Sequence, residues 1–183
     1  MDTQTQSIVS FLENRLDVYL DDLRTLVSID SGSYDKAGVD AVNDWLEDKL
    51  SKLGCRVERP PQAKFGDDLL ARRHGQGRGR ILLLGHSDTV FPVGTAAARP
   101  MKIEGDKVLG PGTCDMKAGL LSGIYALDAL REIGFEDFET LTYLYVSDEE
   151  IPERHSLDLI LSEGRQADTA LTLEAARENG DIV

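Results

Sequence analysis

The chain has 183 residues, with 20 Lys plus Arg against 33 Asp plus Glu, and its formal charge is −13 at pH 7. That balance argues against nucleic acid or an anionic membrane held by bulk charge. No apolar run approaches the ~18 residues of a membrane span, residues 1–10 are polar and acidic and do not resemble a signal peptide, and the apolar content suffices for one sizeable core. A single cytoplasmic domain is the simplest expectation.

Ile8, Phe11, Leu12, Leu16, Tyr19, Leu20, Leu23, Leu26 and Val27 recur at three- and four-residue steps, which predicts one long amphipathic helix. Val39, Val42, Trp45, Leu46, Leu50 and Leu53 predict a second, closed by Gly54. Residues 55–58 are expected to start a strand. The stretch His74-Gly75-Gln76-Gly77-Arg78-Gly79 lies between two strand-like segments, 68–73 and 80–84. Its glycines do not form GxGxxG, so it is expected to be a solvated hairpin tip and not a phosphate cradle. Residues 81–84 are continuously apolar and end in Gly85-His86-Ser87-Asp88, the pattern of a strand buried on both faces.

A second hairpin is expected to turn at Glu104-Gly105-Asp106. Residues 114–133 predict a helix with Leu120, Ile124, Leu127 and Leu130 on one face, ended by Gly134, and Cys114 is expected as a small buried packing residue beside a reduced Cys55. Residues 140–147 read as a strand terminating in Asp148-Glu149-Glu150, 156–162 as a short helix, and 169–173 as a last strand ending in Glu174. Strands alternating with helices indicate an α/β sheet covered on both sides.

Three predicted strands thus deliver ionisable groups at their carboxyl ends: His86 and Asp88, then Glu149 and Glu150, then Glu174. Ligands of open α/β sheets bind at that edge, and Asp115, after Gly110-Pro111-Gly112, is a further contributor. One histidine with several carboxylates suits zinc or, less specifically, manganese or cobalt. His86 and Asp88, two apart in extended backbone, share a side, so Asp88 can accept a hydrogen bond from the ring nitrogen that His86 does not offer a metal. Of Glu149 and Glu150, which face apart in extended geometry, one can ligate while the other takes a proton from a metal-bound water of pKa about 7.

The ordered set Gly85-His86-Ser87-Asp88-Thr89-Val90, then Gly110-Pro111-Gly112-Thr113-Cys114-Asp115-Met116-Lys117-Ala118-Gly119, then Asp148-Glu149-Glu150 and Glu174, resembles the zinc aminoacylase/carboxypeptidase family of dizinc metallopeptidases, the M20 type. The stretch Gly94-Thr95-Ala96-Ala97-Ala98-Arg99-Pro100 is similar to its glutamate carboxypeptidase branch. The resemblance implies a zinc-exopeptidase-like α/β catalytic domain with a mixed, mostly parallel sheet between helices. It further implies that His86, Asp115, Glu150 and Glu174 bind two zinc ions, with Asp115 bridging, that Asp88 supports His86, and that Glu149 is the general base. Hydrolysis of an amide next to a free carboxylate, in a small peptide or N-acyl amino acid, is the implied reaction, carried out by a metal-bound hydroxide.

Members of that family continue into a lid or dimerisation domain and a returning segment, which carries a second zinc-binding histidine and the substrate-carboxylate contacts. On that comparison residues 1–183 form the amino-terminal portion of one catalytic domain, truncated before the lid. His155, in an Ile151-Pro152-Glu153-Arg154-His155 loop unlike the family's small residues, is either a surface histidine near a helix start or a substitute ligand. Self-association or a completing partner chain would cover the exposed sheet edge that such a truncation leaves. The alternative to an enzyme is an inactive fragment acting as a metal-binding or protein-interaction module.

Overall fold

The computed structural model describes residues 2–152 and 154–176. In chain order the elements are α1 (Thr3–Glu13), α2 (Leu16–Val27), α3 (Lys36–Lys52), β1 (Arg56–Glu58), β2 (Leu69–His74), β3 (Arg80–His86), a single turn α4 (Thr95–Ala98), β4 (Lys102–Glu104), β5 (Lys107–Leu109), α5 (Ala118–Glu132), β6 (Thr140–Val146), α6 (Leu157–Gln166) and β7 (Thr169–Thr172). No helix among the described residues is long and apolar enough to cross a membrane.

The first two helices replace the single one expected over residues 8–27. Arg15 stands at φ −108° and ψ 3°, and its N–H donates only three residues back, to Leu12 O at 3.0 Å. The apolar stripe continues across this break, so periodicity alone does not reveal it. Only α2 buries side chains fully: Leu23, Leu26 and Val27. Tyr19 Oη of α2 donates to Ala118 O at 3.0 Å, and Asp22 accepts from Tyr125 Oη and pairs with Lys49, so α2 is tied to both α5 and α3. Helix α3 starts at Asp35, whose carboxylate accepts from Gly38 N, and ends before Gly54, which has φ +84°.

Five strands form one sheet in the order β1-β2-β6-β3-β7, while β4 and β5 form the separate expected hairpin. The pairs β1/β2 and β2/β6 are antiparallel and β6/β3 and β3/β7 parallel, so the sheet is mixed as expected but divided evenly and not mostly parallel. Residues 74–79 are not the tip of a tight hairpin, because β2 and β3 do not pair: β6 lies between them. The reason is burial. Residues 141–146 of β6 are apolar or aromatic on both faces, apart from Thr142, and take the centre, whereas β2 ends in Arg72-Arg73-His74. The glycine segment steps past the start of β6, with Gly75 N on Glu139 O and Gly77 N on Phe138 O, each at 3.1 Å. A Cβ at Gly77 would run into Asp137.

Alternate residues of the central strands face opposite layers. Leu69, Ala71, Leu83, Leu141, Tyr143 and Tyr145 meet α2, α3 and α5 in the main core, and the Tyr143 and Tyr145 hydroxyls donate to Gly123 O and Leu120 O of α5. Leu70, Leu82, Leu144 and Val146 are covered by Leu159 and Ile160 of α6. The edge strand β7 is exposed along its length, with Leu171 at 51%.

Helix α5 packs against the end of β7 through Gly119, where a Cβ would collide with the Leu173 carbonyl. Ala for Gly inside a helix ordinarily stabilises by about 1 kcal/mol. Here Gly119→Ala should instead lower the melting temperature, by an overpacking cost of about 1–3 kcal/mol. A melting temperature at or above wild type would show that α5 and β7 do not approach this closely.

Candidate metal centre

The parallel register of β3, β6 and β7 sets their carboxyl ends side by side: His86 lies opposite Val146, and Leu84 opposite Thr172. His86 is therefore the last residue of β3, Glu149 and Glu150 follow β6, and Glu174 follows β7.

Asp115 arrives from the loop before α5. The helix expected from residue 114 begins only at Ala118, because Asp115 (φ −121°, ψ 95°) and Met116 (φ −133°, ψ 33°) are not helical. Met116 and Lys117 are buried while Cys114 and Asp115 are exposed. Cys114 is thus an exposed free thiol, not the buried packing residue expected, and Cys55 is the buried one. Burial raises the Cys55 thiol to about 11.

His86 is 2% exposed. Its Nε2 lies 3.0 Å from Asp115 Oδ1 and 3.3 Å from Glu174 Oε1, and its Nδ1 lies 3.2 Å from Asp88 Oδ1 and 3.0 Å from the Asp88 carbonyl. Met116 Sδ accepts from His86 N. The fully buried Asp88 carboxylate accepts from Ser33 Oγ at 2.6 Å, Glu149 N at 3.2 Å and Glu150 N at 3.1 Å. One donor atom each from His86, Asp115 and Glu150 lies within 4.8 Å of the others. Glu174 touches the same imidazole nitrogen but is outside that mutual group. Glu149 pairs through Oε1 with Arg154 Nη2 at 2.7 Å.

His155 is not among these donors. Its ring packs on Phe65 at 5.0 Å between centroids, and its N–H donates to Asp148 Oδ2.

Two supports have no sequence signal. Ser33 reaches Asp88 across 55 positions. Asp68, just before β2, accepts from Ser147 N and Oγ and from Ser156 Oγ, while Asp148 accepts from Ser156 N, contacts that brace the chain beside Glu149 and Glu150. Burial holds the Asp68 carboxyl above the usual range.

The electrostatics suit a cation. Burial favours a neutral His86 ring, but the hydrogen bond and charge of Asp88, with the charges of Glu174 and Asp115, outweigh it and push the imidazole up to about 9. Asp88 is held low despite its burial by its bonds to His86 and Ser33. Burial, then the Asp115 charge, raises Glu150; burial and the same charge raise Glu174 against the pull of His86. Carboxylates that converge and repel one another around a single imidazole make a group that could hold a metal ion. Beside them opens a cleft of about 540 Å³, lined by Ser33, Tyr34, Val90, Phe91, Val93 and Glu150 among others.

A sequence model of the family described as Peptidase family M20/M25/M40 matches residues 82–180. Carboxypeptidase G2 of Pseudomonas sp. (strain RS-16) is 38% identical over 154 residues, which are 83% of this chain and 37% of that protein. Acetylornithine deacetylase of Aliivibrio fischeri is 33% identical over 132 residues, 68% of this chain and 32% of that protein. The chain thus spans about a third of the length of these relatives. Among solved structures, human carnosine dipeptidase 1 superposes with a TM-score of 0.79 at 18% identity, over 94% of this chain and 41% of that one. The metallo-carboxypeptidase Sso-CP2 of Sulfolobus solfataricus gives a TM-score of 0.74 at 21% identity, over 88% of this chain and 38% of that one. These two likenesses concern the fold.

Proposed function

The chain belongs to peptidase family M20/M25/M40, and from that premise we propose that it carries the metal site of a hydrolase cleaving an amide next to a free carboxylate. The observation that carries this reading is the convergence of His86, Asp115 and Glu150 within 4.8 Å, with Asp88 behind the imidazole. Names of relatives, a carboxypeptidase and a deacetylase, point to the same bond type.

His86, Asp115, Glu150 and Glu174 would hold zinc, with cobalt or manganese as substitutes, and Asp115, exposed beside His86 Nε2, would also serve a second ion. When bound, the metal supplies Lewis acidity to the amide carbonyl and makes water acidic near neutral pH. Asp88 fixes the imidazole by engaging Nδ1, which leaves Nε2 toward Asp115 and Glu174. Glu149, whose backbone N–H is anchored on Asp88, is the base that takes the water proton and returns it to the leaving amine. Its pairing with Arg154 is partly exposed and therefore weak enough to open. A small peptide or an N-acyl amino acid is the proposed substrate.

Elemental analysis of the purified chain, paired with release of amino acid from N-acyl amino acids and dipeptides, tests this. Zinc retention with chelator-sensitive hydrolysis is expected. Glu149→Gln should lose at least about a hundredfold in rate with its zinc retained. Zinc uptake without hydrolysis would assign a metal-binding module instead, and a chain that takes up no metal would remove the reading.

A further inference from the structure

Lys117 is 2% exposed, yet its ammonium is held by backbone carbonyls, Leu26 O at 3.0 Å and Ile29 O at 2.6 Å. Leu26 lies in the last turn of α2 and Ile29 just past it. Carbonyls at a helix carboxyl end carry the negative end of the helix dipole, which favours a cation, and Leu26 O, which also accepts from Ile29 N at 3.1 Å, has a second lone pair for the ammonium. The lysine caps α2 from about 90 positions away in the chain.

Both routes leading from that ammonium end at the metal centre. Two residues back along the chain is Asp115, and between them Met116 accepts from His86 N. On the carbonyl side, Ile29 is followed by Asp30, whose carboxylate accepts from Gly94 N and Ala96 N at 2.7 and 2.8 Å. Ser31 O then accepts from Thr89 N, and Ser33 donates through its N–H to Thr89 O and through Oγ to Asp88. Asp88 in turn holds His86 and the amides of Glu149 and Glu150. The Asp115 loop and the segment that supports Asp88 are joined at one buried charge.

We propose that Lys117 is a positioning residue of the metal centre: by capping α2 it sets the Asp115 loop at the correct place relative to the His86–Asp88 pair. The proposal rests on the reading of these residues as a metal site. A lysine suits the task because a long apolar stem crosses the core and its head supplies several donors to two carbonyls at once.

Lys117→Met keeps the stem and removes the charge and donors. Zinc affinity, measured on folded protein by competition with a chromophoric chelator, should fall at least tenfold, in the range lost when supports of metal ligands are removed. Folding is checked on the same samples by circular dichroism and metal-free melting. A variant that melts lower but binds zinc as tightly as wild type would make Lys117 a helix cap and nothing more, and would overturn the proposal. Where Lys117→Met does not fold, Lys117→Arg carries the test: it keeps a cation with a different reach and should bind zinc at least threefold more weakly, and wild-type affinity overturns the proposal. A wild-type chain that takes up no zinc overturns the metal reading and this one together, whereas tight wild-type binding matched by the variants overturns this one alone.

Discussion

Alanine in place of Asp88 should destabilise the metal-free chain by about 3–5 kcal/mol, the range for removing one partner of a buried ion pair. The side chain is fully buried and serves Ser33 Oγ, the amides of Glu149 and Glu150, and His86 Nδ1. Alanine leaves the Ser33, Glu149 and Glu150 donors without their acceptor and takes the carboxylate from the imidazole, whose Nδ1 keeps only the backbone carbonyl of residue 88, and each stranded donor carries a desolvation penalty of about 1–3 kcal/mol where water cannot enter. For a domain of this size the loss corresponds to a fall in melting temperature of about 6–20 °C. Asp88→Asn retains the volume and one acceptor oxygen and should lose clearly less. Urea denaturation of the metal-free proteins measures both. A change under about 1 kcal/mol for the alanine variant would mean that the carboxylate is not what organises the strand ends.

Zinc and pH should act on the chain in opposite directions through His86. Without metal its pKa is raised from 6.5 to about 9, so the protonated imidazole contributes its stabilisation in full below about pH 6.5 and loses it as pH rises through about 9. By the pKa difference this contribution is on the order of 3 kcal/mol, and it is the same interaction that holds Asp88 low, not an addition to it. A metal ligand must be the neutral imidazole, so each zinc bound expels the proton, and affinity should rise about tenfold per pH unit toward pH 9 and then level off. At zinc concentrations near a hundred times Kd the chain gains about 2.7 kcal/mol, or about 5–10 °C. His86→Ala should abolish that gain. If about 10–16 kcal/mol of zinc affinity is shared among four ligands, losing one weakens binding on the order of a hundredfold or more. Thermal melts with zinc and with chelator across pH 6–9 give the result, and a zinc response that is independent of pH or survives in His86→Ala would exclude this histidine as a ligand.

Elements whose apolar pattern changes period at their own boundaries are legible from the residues alone. Helix α3, with Asp35 before it and Gly54 after it, the β4–β5 hairpin on Gly105, and strands β6 and β7 are of this kind. The break between α1 and α2 is not, because a stripe at three- and four-residue steps runs on through a one-residue interruption. The insertion of β6 between β2 and β3 is not, because neighbours in the chain pair by default unless a more apolar strand takes the centre. The late start of α5 depends on Met116 reaching His86 and Lys117 reaching α2, contacts between residues far apart in sequence.

The sequence by itself determined the α/β class and the strands that end in or lead to His86, Glu149, Glu150 and Glu174, because local periodicity and side-chain type carry that information. Tertiary structure alone decided which donors meet. It brought Asp115 to His86 through non-helical backbone, set Ser33 under Asp88, braced the Glu149–Glu150 loop on Asp68, and turned His155 toward Phe65. Those choices follow from satisfying buried charges and backbone groups across the sheet's carboxyl edge, where each partner comes from a different part of the chain.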